Sequence, residues 1–247
     1  MSRSNSRTTT TRTVVLRRKP WKETSFLLEL FSPDLGRITA IAQGARSEKN
    51  AGGSEPLAEY EMSLYHSNGP WFLRSSHLVR SLRKDYRRDT VMYAACELYE
   101  QTVLPPEDAR SHWDLLLAFF DYLQHEKRHP IAIFWRFALH VCHLLGIDLD
   151  IERCVACGQT DNEWAAFFPM RNGLVCNNCQ PSLAEPALLP LSESTSRLLH
   201  ALPHIGNVLD EIEIPDETIQ QVNRILLAHL SSHFNKPFHF KSLQLYG

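Results

Sequence analysis

What the chain lacks narrows its function first. Across 247 residues there is no run of 18 or more apolar residues, which excludes a membrane-spanning helix. The loop G-x-x-x-x-G-K-[ST], the elbow G-x-S-x-G and the helix signature H-E-x-x-H are all absent, so nucleotide-driven or hydrolytic chemistry has no recognisable carrier. No His-x-Glu occurs, and Val175 rather than proline precedes Cys176; a zinc deaminase needs both features. The first twelve residues, MSRSNSRTTTTR, contain no acid and no apolar stripe. They are expected to form a disordered basic arm over 1–10 rather than a secretory leader. Internal repeats and coiled-coil heptads are missing as well.

What is present is unevenly distributed. Residues 1–90 carry 16 Lys and Arg against 9 Asp and Glu, net +7, whereas residues 91–247 carry 10 against 19, net −9. A net charge of only −2 therefore conceals a basic leading third, the footprint expected when one part of a chain meets phosphate. The plainer reading of such charges is a solvated surface.

Up to about Leu78 the pattern is that of strands. Runs rich in Val, Ile, Leu, Phe and Thr cover 13–16, 25–31, 37–42, 57–66 and 71–75. Turn chemistry at 33–36 and 67–70 and a polar loop over 47–56 separate them. Five short strands in under 80 residues predict a small closed barrel of the OB type. Near residues 80–89 the apolar period changes from two to about 3.6. Helices are predicted from a cap at Asp89 to about Leu104, from a capping box of Ser111 with Asp114 to about His125, and from Pro130 to about Gly146. Two more follow over 193–204 and 215–234. The fold class is thus α+β with two domains: residues 1–80 a basic OB-fold β-barrel, residues 81–247 an all-helical domain interrupted by a cysteine segment at 153–181.

That segment carries the most specific motif. Cys154-x2-Cys157 and Cys176-x2-Cys179 are two C-x2-C knuckles separated by 18 residues, within the spacing of a four-thiolate zinc site. Four thiolates leave no open coordination position, so one structural Zn2+ is expected and not a catalytic one. Cys96 and Cys142 stand isolated, which fits a reducing compartment better than a disulfide framework.

The candidate DNA-binding residues are Arg12, Arg17, Arg18, Lys19, Lys22, Arg37, Arg46 and Lys49 on the barrel, with Arg80, Arg83, Lys84, Arg87 and Arg88 at the junction. Trp21, Tyr60, Tyr65, Trp71 and Phe72 are available for stacking, but aromatics in strands mostly fill cores. No helix presents a compact set of base-reading side chains, so phosphate contact should dominate and salt should weaken binding steeply. His140 and His143, one helical turn apart, read as ordinary helix histidines. The carboxylates Glu97 and Glu100 or Asp108 and Asp114 read as surface charges.

Several segments in order resemble the RecO family of bacterial recombination and repair proteins over almost the whole chain. Residues 15–24 (VLRRKPWKET) followed by Leu27 to Phe31 resemble the family's first hairpin, and 36–46 (GRITAIAQGAR) its glycine-rich third strand and loop. Residues 93–98 (YAACEL) are similar to its first long helix, and Phe137 to Gly146 followed by Cys154-x2-Cys157 to its helix-to-zinc passage. The resemblance implies a cytoplasmic, non-enzymatic recombination mediator. It implies binding to single- and double-stranded DNA, annealing of complementary strands, and work with RecR to help RecA replace the single-stranded-DNA-binding protein. That protein's acidic tail is the implied partner of the helical domain. Gln43 and Ser47 depart from the basic residues common in relatives, which implies weaker phosphate contact at that rim. The alternative reading is a zinc-ribbon adaptor associated with RNA or transcription.

Overall fold

A computed structural model of the chain describes residues 7–46, 54–66, 69–126, 128–160, 163–183 and 188–246. The contacts divide it into two compact units, 1–125 and 126–245.

In the first unit β1 (Arg7–Trp21), β2 (Ser25–Ser32), β3 (Gly36–Ala42), β4 (Ala58–His66) and β5 (Trp71–Ser81) close into a barrel of order β1-β2-β3-β5-β4. The barrel closes because β1 works twice. Its first half, Arg7 to Val14, pairs with β4, and its second half, Val14 to Trp21, pairs with β2. A bulge between Val15 and Arg17 bends the strand between the two halves, and there Val14, Val15 and Leu16 are all buried. One extra residue in a ladder sharpens the local bend, which is how a single strand spans two neighbours. The last gap is sealed by a short parallel contact of β3 with β5, Ala40 opposite Trp71 and Ile41 opposite Phe72. The interior holds Val15, Leu28, Leu30, Ala40, Ala42, Tyr60, Met62 and Leu64. This is the OB-fold barrel expected of the leading segment.

The expected disordered arm is corrected at residues 7–10, which form the start of β1 and pair with His66 to Ser63 of β4. Its first six residues lie outside the described ones. Thr8 to Thr11 are β-branched and favour extended backbone, but they show no apolar alternation, so the sequence hides the strand.

Two helices complete this unit. The first, α1 (Tyr86–Gln101), is capped by Asp85, whose side chain accepts from the Arg88 amide at 3.0 Å; the expected cap at Asp89 is four residues late. The second, α2 (Ala109–His125), starts before Ser111, and Asp114 pairs with Arg110 instead of closing a capping box. Its buried stripe runs through Trp113, Leu116, Phe120 and Leu123, while Tyr122 is exposed. These helices cover the outside of the barrel where Phe31 emerges from β2: its ring stacks on Tyr99 at 5.0 Å and meets Trp113 edge-on at 6.0 Å. The change from strand to helix falls near residue 80 as expected, whereas the compact unit ends further on, after His125.

In the second unit, α3 (Pro130–Leu144) begins with proline at its first turn, where a missing amide costs nothing. Gly146, at φ +67°, follows its end. Then come β6 (Asp150–Cys154), β7 (Trp164–Phe168), β8 (Gly173–Cys176) and β9 (Leu189–Pro190), a four-stranded sheet of order β6-β8-β7-β9 that contains the cysteine segment and extends beyond both its ends. Next are α4 (Glu193–Ala201), capped by Ser192, and α5 (Asp216–Phe234), preceded by Pro215. Trp135 of α3 donates to Asn223 of α5 at 2.8 Å, and Phe134 meets Phe240 edge-on at 5.4 Å.

Candidate nucleic-acid interface and metal centre

The cysteine knuckles owe their meeting to strand order. Because β6 and β8 run parallel as neighbours, their C-terminal ends lie side by side, and those ends are Cys154 and Cys176. A tight turn then follows each strand. The Gly158 amide donates to the Cys154 carbonyl at 2.8 Å with Gly158 at φ +77°, and the Cys179 amide donates to the Cys176 carbonyl at 3.1 Å. All four sulfurs lie within 4.8 Å of one another, with Cys157 and Cys176 Sγ 4.0 Å apart. A zinc tetrahedron with bonds of about 2.3 Å has edges of about 3.8 Å, so a small contraction completes the sphere. Burial by itself raises the Cys154 thiol. The amides of Cys176, Cys157 and Ala156 point at its sulfur and bring it down to about 6, the direction that favours the thiolate a metal requires. Cys179, sharing its proton with the sulfurs of Cys157 and Cys176, is pushed up to about 12. Among the described residues this is the one cluster of three or more His, Cys, Asp or Glu able to hold a metal ion. His143 faces Asp148 at 2.9 Å and joins no such set.

Gly173 is dictated by closeness. A Cβ there would collide with the Val155 side chain and come 3.2 Å from the Asp150 carbonyl. Where β8 pairs with β6 at Asp150 there is no room for a side chain.

The barrel cations separate into three groups. Five are engaged within their own unit. Arg12 of β1 and Arg80 of β5 flank Glu59 of β4, a carboxylate with no exposed surface, and Arg80 (2.8 Å from Glu59) also reaches Asp121 of α2. Arg17 bonds Glu100 of α1 at 3.2 Å. Burial raises the Glu100 carboxyl, and Arg17 beside it pulls the other way. Arg37 donates to the carbonyl of Tyr99 at 3.2 Å and to that of Glu100, neutralising the negative end of α1, which has no basic residue in its own last turn. Arg88 is buried, pairs with Asp85 at 2.6 Å and donates to the Leu123 carbonyl at 3.1 Å. Together these side chains pin α1 and α2 to the barrel.

A second group is paired closer to solvent. Arg18 meets Glu55 at 2.6 Å and lies over the Phe26 ring at 4.4 Å, while Arg83 meets Asp89 at 3.1 Å. The third group faces water. Lys19, Lys22, Lys84 and Arg87 are exposed and make no ion pair among the described residues. Arg46, also exposed, donates through its guanidinium to the Lys22 carbonyl at 2.9 Å. Lys49 lies outside the described residues.

Of the candidate aromatics, Tyr60 is core, Trp71 packs partly against the core, and Tyr65 and Phe72 stack at 5.2 Å on the outer face. Trp21 is 42 % exposed, against the expectation that it fills the interior. Strand register carries the missed signal: Trp21 pairs with Ser25 beyond the last core layer, Pro20 with Phe26.

The comparisons with known proteins agree with this geometry. Residues 6–82 match the family described as recombination protein O N terminal, and residues 83–243 match recombination protein O C terminal. DNA repair protein RecO of Alkaliphilus metalliredigens is 24 % identical over 239 residues, covering 94 % of this chain and 95 % of its own. The RecO protein of Bacillus pumilus is 25 % identical over 86 % of this chain and 84 % of its own. That of Rhodopirellula baltica is 29 % identical over 83 % and 77 %. With a barrel of the OB type, a helical region after it, a four-cysteine cluster in place, and both halves matched end to end, the chain belongs to the RecO family of DNA repair proteins.

Proposed function

We propose that the chain is a non-enzymatic, cytoplasmic recombination mediator. It binds single- and double-stranded DNA through the barrel, anneals complementary strands, and acts with RecR to help RecA load onto DNA coated by the single-stranded-DNA-binding protein, whose tail docks on the helical domain. One observation carries the DNA reading: around the β1–β2 hairpin, Lys19 and Lys22 are exposed and make no ion pair among the described residues, in a fold whose hairpin loops and outer face bind oligonucleotides. Lys84 and Arg87, also exposed, add to the phosphate-binding surface at the start of α1. Arg12, Arg17, Arg37, Arg80 and Arg88 then contribute by holding the platform together more than by touching phosphate.

One Zn2+ bound by Cys154, Cys157, Cys176 and Cys179 is structural in this reading. When bound it supplies a crosslink between the two knuckles, and a full set of thiolates leaves no position for substrate.

The test is fluorescence-monitored annealing of complementary oligonucleotides at several salt concentrations, with and without the single-stranded-DNA-binding protein. Acceleration that fades steeply with salt is expected. Absence of acceleration at every salt concentration, with preference for structured RNA in direct competition, would replace this reading with that of an RNA-associated adaptor.

A further inference from the structure

Trp21 sits at the end of β1, immediately before the turn 22–24. Lys22 in that turn adopts φ +53°, a left-handed conformation unusual for lysine. The turn is held from behind: the Arg46 amide donates to the Thr24 carbonyl and the Arg46 guanidinium to the Lys22 carbonyl, both at 2.9 Å. With its carbonyls tied to the following loop, the hairpin presents Trp21 at 42 % exposure between two exposed lysines. Trp113, Trp135 and Trp164 are each no more than 3 % exposed, so this indole is unlike them in its access to solvent.

The face to which Trp21 belongs continues across the barrel. Strand register sets Lys19 opposite Leu27, Leu27 opposite Ile41, Ile41 opposite Phe72 and Phe72 opposite Tyr65. Leu27, Ile41, Phe72 and Tyr65 are all partly exposed, and the row ends in the stacked Phe72–Tyr65 pair. From β1 to β5 this row crosses three strand spacings, about 14 Å.

We infer that Trp21 is a base-stacking residue, and that the hairpin it tips selects unpaired nucleotides over duplex; this rests on the DNA-binding reading above. Charge complementarity identifies the occupant. An exposed indole flanked by cations attracts a polyanion that carries flat apolar rings, which describes a single polynucleotide strand. In a duplex the base faces are already stacked on one another, and exposing one costs a few kcal/mol. Lys19 and Lys22 therefore serve both kinds of DNA, whereas Trp21 adds affinity for an unpaired strand alone.

The experiment uses the full chain, titrated with oligo(dT) and with a duplex at one salt concentration, comparing wild type, Trp21→Phe, Trp21→Ala and the Lys19→Glu/Lys22→Glu pair. Oligo(dT) is expected to quench tryptophan emission in wild type, with most of that quench gone in Trp21→Phe. Trp21→Ala should weaken oligo(dT) binding on the order of tenfold and duplex binding less than about twofold, and Trp21→Phe should restore most of the loss. Because the side chain is exposed, an unchanged far-UV spectrum is expected for both. If Trp21→Ala binds both nucleic acids as wild type does while the lysine pair is defective, the surface stands and the stacking role is overturned. Equal losses for strand and duplex would also overturn it. Failure of wild type to bind either one, even at low salt, would remove the underlying DNA reading with it.

Discussion

Replacing Arg80 with methionine separates structural from phosphate-binding cations. Glu59 has no exposed side-chain surface, and its charge is met by Arg12, half exposed, and Arg80, about one-third exposed. Breaking a buried ion pair from one side typically costs about 3–5 kcal/mol. Here Arg12 remains and Arg80 is partly wet, which discounts the loss to about 2 kcal/mol. The bond from Arg80 to Asp121 is lost too, but Asp121 is exposed and adds little. For a unit of this size such a change lowers Tm by roughly 6–10 °C, readable by calorimetry as a shift of the transition belonging to residues 1–125. Glu59→Gln combined with Arg80→Met should recover part of the loss, because the stranded buried charge is removed with its partner. In DNA titrations the slope of log affinity against log salt should be unchanged. If Arg80→Met instead stays within about 0.5 kcal/mol of wild type while the salt slope drops by about one, Arg80 faces phosphate rather than Glu59.

Charge reversal at Lys19 and Lys22 should do the opposite, lowering the salt slope by about two with Tm unchanged, as read by the same two assays. His229 is buried, donates from Nε2 to the Ile147 carbonyl at 2.8 Å, and is held neutral by burial down to about pH 4. Since the unfolded chain takes up that proton near pH 6.5, its contribution is intact above 6.5 and is lost as pH falls towards 4. The loss is on the order of 3 kcal/mol, and urea unfolding of His229→Leu should show a correspondingly flatter acid limb. Gly173→Ala should cost about 1–3 kcal/mol by overpacking against Val155 and weaken metal retention, measured as zinc per chain after dialysis; Val155→Ala in the same chain should restore both. Chelation, or Cys176→Ser, should unfold the segment around β6–β8 while the remaining folded protein still binds DNA.

How much of this was legible in the sequence differs from element to element. Apolar alternation and turn residues place β2 to β4 within about a residue, and Pro130 and Pro215 mark helix starts closely, because proline's fixed φ and absent amide act locally. The start of β1 is illegible because Thr8 to Thr11 satisfy their backbone through β4, more than fifty residues away. The cap of α1 is ambiguous in sequence because Asp85 and Asp89 have equal claims locally, and the choice is made by Arg88 reaching both Asp85 and the Leu123 carbonyl. The four cysteines were legible in full, since two C-x2-C turns carry their geometry with them. Even so, only the parallel pairing of β6 with β8 brings the two turns together.

By itself the sequence determined the kinds of parts: a strand-rich basic segment, a helical remainder, a four-cysteine set able to hold a metal ion, and the segments by which the chain resembles its family. Composition and period are local properties, and local backbone preference reads them directly. Only the tertiary structure decided which cations are paired within the protein and which face water. Arg17, Arg37, Arg80 and Arg88 look like Lys19 and Lys22 in one dimension. The carboxylates and helix carbonyls that claim the arginines lie up to 83 residues away, and a charge already satisfied within the protein has little left to offer a phosphate.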